Sequence, residues 1–389
     1  MEYNNIHIDV DEFLEKNGGK VNLVIGEDGA VSKKEIEPAE TQKPKAKKKK
    51  KGFKVFCTVL AVLIAGMVTI NVIPPKKNIE NNPFVVAKGT LPMVAAHRGG
   101  GKNNPENTML AFREAVSTIG VDIIESDLYL TKDGYLVYNH DSYIDETCNV
   151  NGDISWDELD DLLDDKTKDN RHYIKDMTLA ELETYNFGYY FTKDGKKDGE
   201  RIYKNETALE EKGLQIATVE KLFEEFYATN PDLKFIVEIK DEGERGYEAC
   251  RILYDTLQKY PNYMDNIVVG TFHDEIETEL KKNYPQLMRG APTGTAAKFV
   301  LTQYLGVNIF DDSDFTCLQI PMSYEIKGIE VGLTAKTIID RAHRRNIAVQ
   351  YWTINDADEM RQLIELGCDA IMTDDPILLK SVLAEYKNK

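Results

Sequence analysis

From residue 91 onward, short apolar runs alternate with longer stretches whose apolar residues recur every three or four positions. The runs are MVAAH, DIIESD, KFIVEIK, NIVVGTF, QLMRGAP, CLQIPM, AVQYWTI and AIMTDD, and each gives way to polar residues. Strands buried on both faces read as continuous apolar runs, whereas the stretches between them carry the spacing of amphipathic helices. Eight strands alternating with helices predict an α/β fold, a (β/α)8 TIM barrel, with an open doubly wound sheet as its rival. Both architectures bring ligands to the C-terminal ends of the strands. Within NPENTMLAFREAVSTIG, Asn104 reads as a helix N-cap, Pro105 as the first helical residue and Gly120 as the stop.

The residues at those strand ends are unusual for an apolar core. His97 and Arg98 close the first strand. Glu125 and Asp127 close the second, two apart and therefore on one face, and Glu238 and Lys240 do the same on the third. Carboxylates gathered in a barrel mouth repel one another unless a positive charge joins them. Three oxygen ligands from two strands suit a hard divalent cation, Ca²⁺ or Mg²⁺, and leave Arg98 and Lys240 to hold an anion. His140 lies beyond the strands, in LYLTKDGYLVYNHD, which reads as a hairpin rising from the second strand. A turn at Lys132–Asp133 places His140 opposite Glu125, and one at Asp133–Gly134 places it opposite Asp127. A three-residue loop would turn it to the other face.

A different pattern precedes the barrel. Val55 to Ile73 is an uncharged apolar run behind eight lysines between Lys43 and Lys54. As a helix rising ~1.5 Å per residue it spans roughly 28 Å, close to the thickness of a bilayer core. The lysines and the lack of a cleavage pattern favour an uncleaved signal anchor over a signal peptide or a buried helix. The expected organisation is a cytoplasmic segment over 1–52, a transmembrane helix over 53–73, a linker over 74–90 and the barrel over 91–389, outside the cell. The net charge is −18 although residues 1–54 are slightly basic, so the barrel is strongly acidic. That balance, with no aromatics among the lysines from 43 to 51, argues against a nucleic-acid partner. The cysteines are scattered without a C-x-x-C pair, which argues against a zinc site.

HRGG with PENTMLAF, IESDLYLTKDGYLVYNHD, VEIK, YWTIN and GCDAIMTDDP occur in that order between residues 94 and 376. Together they resemble the glycerophosphodiester phosphodiesterases, in a membrane-anchored bacterial form. The resemblance implies a TIM barrel with an insertion after the second strand, here about 142–215. It also implies two acid–base histidines, His97 and His140, and a metal triad of Glu125, Asp127 and Glu238. Arg98 and Lys240 become phosphate contacts, and Trp352 is read as a platform for the glycerol moiety. The implied activity is metal-dependent hydrolysis of a glycerophosphodiester, or of a glycerophosphate-containing polymer, to sn-glycerol 3-phosphate and an alcohol. A lyase that stops at a cyclic phosphate and a non-catalytic phosphodiester-binding protein are the alternatives. Glu106 and Asn107 read as helix-start residues, and His172, His273 and His343 as solvated histidines.

Overall fold

The computed structural model describes residues 49–72, 75–164, 169–305, 312–326 and 328–387. The chain divides into two compact units, Met1–Ile73 and Pro74–Lys389. In the first, Lys49–Val72 forms one helix, and Phe53, Val55, Phe56, Val59, Leu60, Val62, Leu63, Ile64 and Val68 are exposed on it. Among the described residues no helix is long and apolar enough to cross a membrane. The expected span at 53–73 is therefore not shown.

All eight expected strands form in the second unit. In chain order the strands are β1 (Met93–Ala96), β2 (Ile123–Leu130), β3 (Leu136–Tyr138), β4 (Lys234–Ile239), β5 (Ile267–Gly270), β6 (Met288–Arg289), β7 (Cys317–Ile320), β8 (Ser323–Ile326), β9 (Ile329–Gly332), β10 (Ala348–Tyr351) and β11 (Ala370–Thr373). The parallel order is β6-β5-β4-β2-β1-β11-β10-β7, and a Gly290–Cys317 bridge joins its two ends into a barrel. Carried from strand to strand, the registers return to the β1 chain displaced by eight residues, the shear of an eight-stranded barrel. β3 pairs antiparallel with β2, and β8 with β9 as a separate hairpin that the apolar pattern did not announce.

Alternation along each strand sorts the core into two layers. Ala95, Ile123, Ile236, Val268, Met288, Cys317, Ala348, Ala370 and Met372 fill the barrel interior. Their neighbours Val94, Ile124, Val237, Val269, Leu318, Val349 and Ile371 face the surrounding helices, where Phe112, Phe223 and Leu253 cover them. Residues of β2 and β4 that continue the inward series are Glu125, Asp127, Glu238 and Lys240, so the apolar interior turns charged at one end.

Two local expectations change. The helix after β1 starts at Met109, with the Thr108 side chain accepting the Ala111 N–H, and not at Asn104. Asn107 sits at φ +58°, which a helix cannot pass through, so the Asn104–Pro105 start is excluded; Gly120 does end the segment, at φ +71°. The stretch expected as a linker is built into the barrel. Phe84 is fully buried against the interior cluster, Asn82 donates to the carbonyls of Thr316 and Asn346, and the Val86 N–H donates to Asp369. Residues 78–86 thereby close the end opposite the charged one. The insertion over 142–215 carries clusters of its own, one around Ile144, Cys148, Ile174 and Leu182 and another around Leu159, Tyr189 and Tyr190.

If the floor contact holds the barrel, Phe84→Ala should destabilise the protein by about 3–5 kcal/mol, the cost of a large buried ring left as a cavity. Lys88→Ala, at an exposed position, should change little. Chemical denaturation of both variants checks this, and equal midpoints would show that residues 78–86 lie on the barrel without supporting it.

Candidate active site

The charged end is assembled from strand termini. Beyond β1 the chain turns sharply: Arg98 lies at φ +52°, Gly99 at +81° and Gly100 at +90°. Glycine is required at 99, because a Cβ there would stand 2.8 Å from the Phe112 ring. The turn aims two groups inward. The Arg98 N–H donates to Glu125 Oε2 at 3.1 Å, and His97 Nε2 lies 3.8 Å from the same oxygen. The other imidazole nitrogen, Nδ1, is 2.5 Å from Asp374 Oδ1 just past β11.

Lys240 is the hub of the opposite wall. Its Nζ lies 3.1 Å from Asp127 Oδ1 and 3.0 Å from Glu238 Oε1. Arg98 reaches Asp127 at 3.7 Å through Nε, while its Nη1 donates to both oxygens of Glu106 at 3.1 and 3.2 Å. Glu106, expected only to start a helix, is thus the main partner of Arg98. Its role could not be read from spacing, because the left-handed residues at 98 and 107 fold this segment back on itself.

Three buried carboxylates share this end with Lys240, Arg98 and His97, and burial is the main influence on the proton affinities of Glu125 and Glu238. Burial pushes the Glu125 carboxyl up, with Asp127 adding to the shift against His97 and Arg98. Burial likewise pushes Glu238 up to about 7, despite Lys240 beside it. Burial works against the charged form of Lys240, but Asp127 and Glu238 outweigh it and hold the ammonium above its usual range. His97 shows the same contest: burial disfavours its charge, and Glu125 and Asp374 still raise it. Asp127 Oδ2 is buried without a hydrogen-bond partner. Arg98 Nε stands 3.7 Å from that oxygen. Oxygen donors suit Ca²⁺ or Mg²⁺, although the ligand atoms of Glu125, Asp127 and Glu238 do not all lie within 4.8 Å of one another.

The outer residues are placed less tightly. The β2–β3 register pairs Leu128 with Tyr138 and Leu130 with Leu136, between the two expected alternatives, and leaves a three-residue loop over Lys132–Gly134. Continued straight, that register would turn His140 to the far face. The ladder bonds reach Asn139, whose N–H donates to the Asp127 carbonyl and whose side-chain amide donates to the carbonyls of Asp141 and Tyr143. His140 Nδ1 lies 3.1 Å from Asp141 Oδ1. Burial opposes ionisation of Asp141, but His140, Arg98 and Lys240 hold its carboxyl low, which places this loop within electrostatic reach of both site cations. Among the described residues no hydrogen bond or ion pair joins His140 to His97 or to Glu125, Asp127 or Glu238. Trp352 follows β10, half-buried against the interior cluster. A second group lies outward of Lys240, where Glu242, His273 and Glu275 bring their ligand atoms within 4.8 Å of one another; among the described residues no other three do so. His273 is therefore less isolated than its sequence context suggests.

The family model for the glycerophosphoryl diester phosphodiesterase family matches residues 97–378. A glycerophosphodiester phosphodiesterase from Caldanaerobacter subterraneus is 27% identical over 285 residues, covering 73% of this chain and 94% of its own. The fold is similar to that of the glycerophosphoryl diester phosphodiesterase domain of a Mycobacterium tuberculosis protein, with a TM-score of 0.56 at 18% identity over 76% of this chain and all of that one. It is also similar to an Oleispira antarctica phosphodiesterase in complex with the product sn-glycerol-3-phosphate, with a TM-score of 0.52 at 20% identity over 76% of this chain and 97% of that one.

The raised carboxyl of Glu238 sets a pH dependence in chelator-treated protein. The folded chain keeps this proton up to about pH 7 and the unfolded chain releases it near 4.5. Stability contributed by the neutral form is present below 4.5 and is lost as pH rises to 7, by up to ~3 kcal/mol. Glu238→Gln should flatten that slope in urea melts taken between pH 5 and 8; an unchanged slope would place the proton elsewhere.

Proposed function

Because the chain belongs to the glycerophosphoryl diester phosphodiesterase family, we propose that it hydrolyses a glycerophosphodiester to sn-glycerol 3-phosphate and an alcohol at the charged end of its barrel. The observation that carries this reading is the gathering of Glu125, Asp127 and Glu238 at one end of the barrel, with Lys240 between Asp127 and Glu238 and Arg98 beside Glu125 and Asp127. The product held by the Oleispira antarctica phosphodiesterase supports the choice of substrate class. Glu125, Asp127 and Glu238 would hold one divalent cation, which when bound neutralises phosphate charge and lowers the pKa of an attacking oxygen.

The remaining work falls to side chains of this chain. Lys240 and Arg98 are placed to take the phosphate oxygens, exchanging part of their contact with carboxylates for contact with substrate. His97 presents Nε2 to the mouth while Nδ1 is engaged by Asp374. His140, beyond β3 and beside Asp141, is assigned the second imidazole role in this reading. One imidazole withdraws a proton from the attacking water as its oxygen bonds to phosphorus, and the other gives a proton to the alcohol oxygen as its bond to phosphorus breaks. That second transfer is needed because the alkoxide of a simple alcohol leaves poorly, and each transfer is worth about 10²- to 10⁴-fold. Trp352 supplies an apolar face for the glycerol carbons.

Chelation, or any of Glu125→Gln, Asp127→Asn and Glu238→Gln, should lower kcat for glycerophosphocholine at least about 10²-fold, as should His97→Ala or His140→Ala. Phosphorus NMR should show sn-glycerol 3-phosphate as the product. Full activity after chelation would exclude a metal-based reaction, and accumulation of a cyclic phosphate would favour the lyase.

In this reading residues 53–73 anchor the enzyme in the cell membrane as a single pass, with residues 1–52 in the cytoplasm and the barrel outside. The exposed apolar side chains of this segment and the lysine run before it support that orientation. Protease added to intact cells should release the barrel and spare an epitope placed in residues 1–52. A protected barrel would reverse the topology.

A further inference from the structure

Asp374 was not among the residues singled out in the sequence, yet it is the partner of His97. β1 and β11 pair Ala96 with Thr373, so the residues that follow, His97 and Asp374, emerge side by side. Asp374 Oδ1 is 2.5 Å from His97 Nδ1. Its other oxygen, Oδ2, accepts from Asn355 Nδ2 at 2.6 Å. Asn355 Oδ1 in turn accepts the Asp374 N–H at 2.9 Å and the Thr373 hydroxyl at 3.0 Å. Asn355 follows β10, so three neighbouring strands, β10, β11 and β1, each add one member to a chain of hydrogen bonds. A carboxylate gripped at both side chain and backbone has little freedom to turn.

Helix capping does not account for this arrangement. The helix Pro376–Ala384 is capped by Asp375, whose side chain accepts the Leu378 N–H and pairs with Lys102. His140 offers a contrast, since its one carboxylate contact is Asp141, a sequence neighbour, and both side chains are more than a third exposed.

Resting on the reading of His97 as an acid–base group, we infer that Asp374, clamped by Asn355, is a positioning residue that keeps the His97 proton on Nδ1 and turns Nε2 to the substrate. An imidazole without that partner divides its time between two tautomers and several ring orientations, only one of which can exchange a proton at Nε2.

A double-mutant cycle on the full-length, metal-loaded enzyme tests this with glycerophosphocholine. Asp374→Asn should lower kcat roughly 10²- to 10⁴-fold with KM nearly unchanged, since it removes an interaction that matters in the transition state and not in binding. In a His97→Ala background the same change should cost almost nothing. Asn355→Ala should cost less than Asp374→Asn and be lost in that background too. Nitrogen-15 NMR should find His97 protonated at Nδ1 in the wild type and as a tautomer mixture in Asp374→Asn. Should Asp374→Asn fail to fold, Asn355→Ala with the same cycle and spectra decides the question. An equal loss in both backgrounds, or an unchanged tautomer, overturns the positioning role and leaves the proposed reaction standing. Wild-type activity in His97→Ala would instead remove the reading on which the role rests.

Discussion

Three carboxylates forced into one end of a barrel, with a single ammonium wedged between two of them, set the terms for everything around them. Lys240 cannot leave without exposing Asp127 and Glu238 to each other, and removing one member of a buried charge cluster is costly because its partners stay behind uncompensated. The surrounding chain is organised to tolerate this. Left-handed backbone at Arg98 and Gly99 delivers an N–H to Glu125, and Glu106 keeps the Arg98 guanidinium directed across the site. Burial raises the proton affinity of Glu125 and Glu238 in spite of these contacts.

The barrel divides its labour along its axis. At the lower end the interior is aliphatic and plugged by Phe84, so stability there depends on apolar burial and complete packing. At the upper end the same inward positions carry acids, a lysine and an imidazole, which cost stability. Continuous sheet links the two, so that a rigid floor holds the registers that bring His97 beside Asp374 and Asp127 beside Glu238. Side chains on strand ends inherit the precision of the strands, whereas His140, on a loop, does not.

The fold was legible because its strands are short, wholly buried and punctuated by polar ends, a pattern with few competing interpretations. Glu125, Asp127, Glu238 and Lys240 could be grouped from spacing alone, since two-residue periodicity fixes a shared face within one strand. Contacts between distant segments left no such trace. Asp374 meets His97 across 277 residues of sequence, and Glu106 meets Arg98 only because two residues adopt left-handed backbone that composition does not announce. The β2–β3 register also escaped, because a glycine-containing loop permits two or three residues with nearly equal ease. Residues 78–86 looked like a linker because their few apolar side chains have no period; their burial comes from a floor that exists only once the barrel has closed.

The insertion after β3 packs largely on itself: one of its two hydrophobic clusters lies wholly within it, and the other adds Val137 of β3 and Ile216, with Tyr129 of β2 against it. A segment stabilised from within is modular. Its sequence can drift, lengthen or be exchanged for that of a relative while the strands keep their registers, so this lineage can change what approaches the mouth without rebuilding the machinery inside it.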